Sequence, residues 1–453
     1  MDTGTIPTCA DKFIKAINDR DSKALSCLFP PGAFLVDESI TFTDRAAIQT
    51  WADNGLIEHG ARAVKVLDFQ GDGRTTADIK ILMDGDFAEA YGITEAFPLW
   101  LHFALDGDEP AAAQIKHLRI DTLDPGTWCH RAVWAAKGLP DAPLEAVRCD
   151  MRPVPVPPTG WVRVRMKASS INYHDIFTLR GWVMPGTTFP RVLGNEGVGV
   201  LEDGSEVIIY PVMSDTKDGG PDYNITLDPE RHIFGEQVQG LMSEYAIVPE
   251  ANLVPKPAQL PMNTAAVLGV AWLTAYRLLF TLSGLKPGQR MLVQGSAGGI
   301  ATGLIRMGIA AGMEVWVTGR STEKQQLARD MGAHHVMGPD AALPVKVHAV
   351  FNLSGAATWK HSMASVAHGG TVLVCAVHGG ATLETDVSDL FLRGITVRGS
   401  YMGTMDEFRG LVDFVTRHNI EPLIDAVVPL EGVREGIEKM AAGRVRGKIV
   451  VRI

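Results

Sequence analysis

Apolar positions change their spacing twice along this chain of 453 residues. Near the start, Phe13, Ile14 and Ile17, then Leu25 and Leu28, recur at helical intervals, and Asp21 stands where it would cap the second of two short helices. After Pro30-Pro31-Gly32, extended sequence is predicted around Phe34-Leu35-Val36 and Ile40-Thr41-Phe42, then a helix over 45–58. Four strand-like runs follow at 63–69, 75–83, 97–105 and 114–120, divided by turn signals such as Gly71-Asp72-Gly73 and Asp106-Gly107-Asp108. Helices followed by a meander of strands predict an α+β domain. Asp124-Pro125-Gly126 is the expected junction, because Ala132-Val133-Trp134 begins a fresh strand beyond it. The Pro-rich stretch 152–158 is expected to be a loop entering a strand over 161–167. From about Leu268 the pattern becomes alternating strand and helix: Met291-Leu292-Val293, a helix over 299–311, a strand over 314–318, then apolar strands over 347–351 and 371–374. Such alternation predicts a parallel, doubly wound sheet.

Charge sharpens the first boundary. Residues 1–125 hold 11 Lys and Arg against 21 Asp and Glu, whereas the remainder carries 31 of each. No basic surplus exists to gather a phosphate backbone, so small molecules rather than nucleic acid are the expected partners. Charged residues interrupt the first thirty positions, and no later run approaches twenty uncharged apolar residues, which predicts a cytoplasmic protein without a membrane partner. The five cysteines are scattered and odd in number, against both a disulfide framework and a Cys-rich metal site.

The strongest local motif is Arg290-Met-Leu-Val-Gln-Gly295-Ser296-Ala-Gly298-Gly299-Ile300-Ala301, a strand ending in a glycine-rich turn that opens a helix. Glycines there permit positive φ and let backbone N–H groups approach a pyrophosphate at the helix N-terminus. Ala301 takes the place of a last glycine, where a small residue suffices for helix packing. At the end of the next strand the chain reads Thr318-Gly-Arg320-Ser321-Thr-Glu323-Lys324. No acid closes that strand to hold ribose hydroxyls, whereas Arg320, Ser321 and Lys324 suit a 2′-phosphate; the expected cofactor is NADPH.

Over residues 130–453 the chain resembles the medium-chain dehydrogenase/reductase superfamily, in the subgroup of zinc-binding dehydrogenases that includes quinone and enoyl reductases. The resemblance rests on Ala168-Ser-Ser-Ile-Asn-Tyr-His-Asp175, Leu193-Gly-Asn-Glu-Gly-Val-Gly199, Ser243-Glu-Tyr-Ala246, Leu273-Thr-Ala-Tyr276, the glycine turn and Gly447-Lys-Ile-Val-Val451, in family order. It implies a mostly-β GroES-like catalytic domain over 126–267 and 400–453, a Rossmann domain over 268–399, and a homodimer. Zinc members carry Cys, His and Cys at the positions of Asn172, Asn195 and Val270; only Glu196 is left to reach a metal, and the lobe of four closely spaced cysteines is missing. No metal site is therefore expected. Without a Lewis acid, hydride transfer to an activated C=C bond of an enone, enoyl thioester or quinone is favoured over alcohol oxidation. Similar enoyl reductases place Asn-Tyr-Arg-Asp at the nicotinamide, which marks Tyr173 as first candidate proton donor, His174 as the alternative, Asn172 and Asp175 as loop or ribose holders, and Thr274 as a nicotinamide neighbour.

Residues 1–125 resemble the nuclear-transport-factor-2-like, SnoaL-like superfamily, a cone of curved sheet closed by helices around an apolar pocket. The similarity lies in Phe13-Ile-Lys-Ala-Ile-Asn18, Ala33-Phe-Leu-Val-Asp37, Ala47-Ile-Gln-Thr-Trp51 and the run 115–120. It implies a pocket with Trp51 on its wall and Asp37, Asp53 and His59 as its polar groups, all three of which also fit the surface of a very acidic domain. The expected activity is NADPH-dependent reduction of a conjugated carbonyl compound, in a secondary metabolic setting, with the cone binding or processing a related molecule. Carbonyl reduction at a zinc-free site is the enzymatic alternative. NADPH binding without turnover, in a redox sensor or scaffold, is the alternative of another class.

Overall fold

A computed structural model describes residues 8–37, 40–58, 61–70, 76–84, 97–106, 114–121, 129–155, 157–158, 160–182, 187–214 and 223–453. The chain divides into two compact units, Met1–Ala132 with Cys149–Arg163, and Val133–Arg148 with Val164–Ile453. The first unit thus takes in a later segment that the linear domain division assigns to the catalytic domain. The junction at 124–126 lies outside the described residues.

In the first unit, helices α1 (Thr8–Asn18), α2 (Ser22–Cys27) and α3 (Arg45–Trp51) accompany a sheet of β1 (Phe34–Asp37), β2 (Ile40–Phe42), β3 (Arg62–Gln70), β4 (Thr76–Asp84), β5 (Phe97–Asp106) and β6 (Gln114–Asp121). Asp21 caps α2 by accepting from Ala24 N at 2.8 Å. The sheet order is β2-β1-β6-β5-β4-β3, with β1 parallel to β6 and the other pairs antiparallel. Period-2 alternation sends Ile79, Ile81, Leu99, Leu101, Phe103, Leu118 and Ile120 into one apolar core with Phe13, Ile17, Leu25 and Ile48. A bulge between Ala104 and Leu105 lets Ile115 join the same core despite its odd spacing from Leu118. The predicted helix over 45–58 is α only as far as Trp51 and continues as a π-helix over Ala52–Ile57.

The second unit contains two sheets that position the site. The first is built from β7 (Trp161–Ser170), β8 (Gly197–Val200), β9 (Glu206–Ile209), β10 (Tyr245–Pro249), β11 (Leu253–Pro255), β18 (Ile424–Pro429) and β19 (Lys448–Arg452), in the order β11-β9-β8-β7-β19-β18 with β10 also on β7. It is mostly antiparallel, and the late strand β19 sits between β7 and β18.

The second sheet comprises β12 (Arg290–Gln294), β13 (Glu314–Thr318), β14 (His335–Met337), β15 (Val347–Asn352), β16 (Val366–Val374) and β17 (Thr396–Gly399). All five pairings are parallel, in the order β14-β13-β12-β15-β16-β17. Strand order reverses between β12 and β15, so a crevice opens at their carboxyl ends, beside Gly295. Helix α4 (Tyr173–Arg180) follows β7, and α5 (Gly299–Ala310) and α6 (Thr322–Asp330) follow β12 and β13. Among the described residues no helix is long and apolar enough to cross a membrane.

Candidate active site

The turn after β12 carries the geometry of a dinucleotide cradle. Gly295 has φ +113°, a region closed to residues with a Cβ in any comfortable conformation. An added Cβ on Gly298 would meet nothing within 4 Å, so that side of the turn is open. At Gly299 it would lie 2.9 Å from both Ala271 Cβ and Lys448 Cδ, so close packing rather than φ requires this glycine. Ser296 Oγ donates to Lys324 O at 2.7 Å and ties the turn to α6, while Ile300 is half-buried in the first turn of α5. These residues fit a pyrophosphate at a helix N-terminus.

At the end of β13, Arg320 and Ser321 are exposed and Lys324 is half-buried. Partial burial and the neighbouring positive charge of Arg320 push the Lys324 ammonium below its ordinary range, which places two cations side by side. Glu323 does not neutralise them by itself; its carboxylate pairs with Arg446. The Ser321 hydroxyl is used by the fold, accepting from Lys324 N at 3.2 Å as the cap of α6. A hollow of about 580 Å³ beside these residues is lined by Lys324, Leu327, Arg444 and Arg446, among others.

Around Asn172 and Val270, positions where the family resemblance implies metal ligands, buried groups of the protein hydrogen-bond to one another. Glu196 and Lys448 are almost completely buried, with Lys448 Nζ 3.0 Å from Glu196 Oε1. The same carboxylate oxygen accepts from Asn172 Nδ2 at 2.9 Å and from Ser170 Oγ; its partner oxygen accepts from Val270 N at 2.8 Å. Lys448 donates further to Asn172 Oδ1 and to Ile171 O. An ammonium only donates and a carboxylate only accepts, so the amide of Asn172 is locked in one orientation between them. Val270 can offer its N–H because it lies in the first turn of the helix that begins at Leu268. Thr274, one turn on, donates to Val270 O at 2.8 Å.

This donor set does not fit zinc. Asn195 Nδ2 donates to Phe234 O at 2.6 Å and leaves Asn195 Oδ1 as a buried acceptor with no partner among the described residues. One amide oxygen beside a fixed ammonium does not make a tetrahedral site. No group of three or more His, Cys, Asp or Glu suited to a metal occurs among the described residues. Nor is Glu196 available to reach a metal, as the sequence left open, since both its oxygens are engaged.

The loop of candidate catalytic residues is pinned by Asp175. Fully buried, it accepts from Asn172 N and Gly194 N, each at 2.8 Å, and burial pushes its carboxyl up to about 6 despite those donors. Replacing Asp175 with Asn leaves one of the two backbone donors facing an NH₂ group; the expected loss is about 1–3 kcal/mol by denaturant titration. Because the folded-state value lies above the ordinary 3.8, the native protein gives up this residue's contribution as pH rises through about 6. That pH dependence disappears in Asp175→Asn.

Tyr173 and His174 point to different surroundings. The Tyr173 ring lies 4.3 Å from that of His378, and its hydroxyl donates a long 3.5 Å bond to Met440 O. His174 Nδ1 is 2.5 Å from Glu236 Oε1, and its ring packs edge-on against Phe177 and Tyr401, both at 6.2 Å. Arg231 lies over the Tyr401 ring at 4.4 Å. Tyr401 also lines a cavity of about 240 Å³ with Thr226, Leu227, Arg277, Gly399 and Ser400. Glu236, Arg231 and Tyr401 were not legible as site residues, because their partners lie far away in sequence. Lys448 carried a signal: a lysine opening the apolar run Ile449-Val450-Val451 is a charge headed for burial.

In the first unit two of the four expected pocket residues meet. Trp51 Nε1 donates to Asp37 Oδ2 at 2.8 Å, but Asp53 is exposed and so does not line an interior, and His59 lies outside the described residues. Polar residues instead gather on the sheet face opposite the apolar core: Asp78 is 2.9 Å from His102 Nδ1, and His117 stacks on Phe34 at 3.9 Å. His334 and His335 contact neighbouring residues of the nucleotide-binding sheet. The former accepts from Val315 N, and the latter contacts Glu314 and stacks on Trp316.

Comparison with known proteins defines the class. Residues 158–258 match the alcohol dehydrogenase GroES-like domain, and residues 299–417 match the zinc-binding dehydrogenase family. A zinc-type alcohol dehydrogenase-like protein of Schizosaccharomyces pombe is 29% identical over 320 residues, covering 65% of this chain and 91% of the relative. A crotonyl-CoA reductase of Streptomyces avermitilis is 24% identical over 368 residues, covering 68% and 82%. The crystal structure of an NAD-dependent alcohol dehydrogenase superposes with a TM-score of 0.65 at 28% identity, covering 72% of this chain and 99% of that one. The GroES-like and Rossmann parts of this chain belong to the medium-chain dehydrogenase/reductase superfamily, and the protein is an oxidoreductase that works with a nicotinamide cofactor.

Proposed function

We propose that the second unit is an NADPH-dependent, zinc-independent reductase of activated C=C bonds in enones, enoyl thioesters or quinones. The observation that carries this reading is the buried Lys448–Glu196–Asn172 cluster, which consumes the donors a catalytic zinc would need. The crotonyl-CoA reductase relative supports the substrate class. NADPH is supported by the adjacent cations Arg320 and Lys324 and the lack of an acid at the end of β13. Gly295, Ser296, Gly298, Gly299 and Ile300 would hold the pyrophosphate, Arg320, Ser321 and Lys324 the adenosine end, and Thr274 the nicotinamide side. When bound, the reduced nicotinamide supplies a hydride. The chain's own part is to orient the acceptor over the crevice and deliver a proton from the Asn172-Tyr173-His174 loop.

The first unit is assigned a SnoaL-like cone that binds or processes a related small molecule, on the strength of helices packed against one apolar face of a six-stranded sheet. A homodimer is supported by the edge strand β17, exposed along its length, and by the neighbouring exposed Phe391 and Leu392. The test is NADPH oxidation across a panel of enones, enoyl thioesters, quinones and ketones, with metal analysis of the same preparation. Turnover of conjugated substrates without zinc is expected. Turnover of ketones alone, the second reading favoured by the alcohol dehydrogenase relatives, or one tightly held zinc per chain, overturns it.

A further inference from the structure

We propose that Glu236 and His174 form a proton-delivery dyad, in which Glu236 is a positioning residue that holds the imidazole by Nδ1 and His174 donates to the substrate from Nε2. The inference rests on the reductase reading above and names the acid within it. Four observations support it. His174 Nδ1 and Glu236 Oε1 are 2.5 Å apart, and Glu236 is 3% exposed, so the carboxylate is committed to the ring. Nε2 makes no hydrogen bond to any described residue, and the side chain keeps 18% of its exposure. The Phe177 and Tyr401 rings each stand edge-on to the imidazole at 6.2 Å, so the ring bonded through Nδ1 also has aromatic neighbours. Tyr173 is worse placed, since its hydroxyl is turned to Met440 O and its ring to His378.

The charges facing His174 come from several elements. Glu236 and Asp175 favour the imidazolium, Lys448 disfavours it, and Arg231 stands beyond Tyr401 with its charge over that ring. Burial alone would lower the basicity of the imidazole, but the hydrogen bond and charge of Glu236 outweigh it, and the group is raised above its ordinary 6.5. When bound, the reduced nicotinamide would supply the two-electron reductant, a hydride to the β-carbon, and the substrate would be left as an enolate. The Nε2–H bond of the imidazolium then breaks, a C–H bond forms at the α-carbon, and the neutral ring regains its proton from water. Glu236 stays ionised and keeps Nδ1 protonated, as an orienting carboxylate does in other histidine dyads.

The test has two arms on the full chain. In the first, cofactor-free protein labelled with ¹⁵N-histidine is titrated by NMR, with His174 assigned from the spectrum of His174→Gln. The expected midpoint lies above 6.5, and Glu236→Gln moves it down. An unchanged midpoint in Glu236→Gln overturns the dyad whether or not a substrate has been found. In the second, kcat/KM for an enone turned over in the panel falls as pH rises through the His174 midpoint, and the fall shifts to lower pH in Glu236→Gln. His174→Gln lowers kcat by about 10²- to 10⁴-fold, with the dissociation constant for NADPH unchanged by fluorescence titration. A His174→Gln enzyme with the same kcat and pH profile overturns the proposal. Failure of every conjugated substrate with ketones still reduced sinks the alkene reading, while the NMR arm judges the dyad on its own.

Discussion

Replacing Lys448 with methionine is expected to destabilise the second unit by about 3–5 kcal/mol, because it strands a buried carboxylate without its cation. Glu196 is fully buried, and Lys448 supplies its only positive partner among the described residues, at 3.0 Å. The remaining donors, Asn172 Nδ2, Ser170 Oγ and Val270 N, are neutral and cannot cancel the charge. Chemical denaturation measures the loss. In the double variant Lys448→Met/Glu196→Gln most of it returns, since no unpaired charge is left. A single variant as stable as the parent would mean that the two groups do not interact as a charged pair.

Changing Arg320 to glutamate is expected to weaken NADPH by about 10- to 100-fold, the equivalent of one hydrogen bond to a charged group at roughly 1.5–3 kcal/mol. NADH, which lacks the 2′-phosphate, should be held as before. Fluorescence titration with the two dinucleotides separates these outcomes. The Glu323–Arg446 pair gives a control: because Glu323 is already engaged, its replacement by Gln should leave NADH binding unchanged and should not convert the preference. Equal losses for both dinucleotides in Arg320→Glu would show that Arg320 has no part in telling them apart.

How much could be read before the structure depended on how local the signal was. Strands β12, β13 and β15 are legible because buried parallel strands are short apolar runs, and Met291-Leu292-Val293 cannot be mistaken for a surface turn. Strand β17 is not, since all four of its residues are exposed and no burial pattern marks it. The π-helical stretch around Val270 also escapes a periodicity argument, because a widened turn shifts the spacing without changing the residues. In the site, the replacements at Asn172, Asn195 and Val270 are visible by position alone. What replaces the missing donors is not: Lys448 reaches Ile171 across 277 residues and Glu236 reaches His174 across 62. No spacing rule links such pairs; only the sheet does.

That distance bears on how the chain is made. Strand β19 pairs with β7 on one side and β18 on the other, so β18 is not joined to the first sheet until Lys448–Arg452 has been made. Up to that moment Glu196 lacks the Lys448 ammonium that it meets in the folded protein. The helices and parallel strands of the nucleotide-binding sheet are all synthesised earlier and can assemble as they emerge. Closure of the first sheet therefore comes after every strand of the nucleotide-binding sheet has been made.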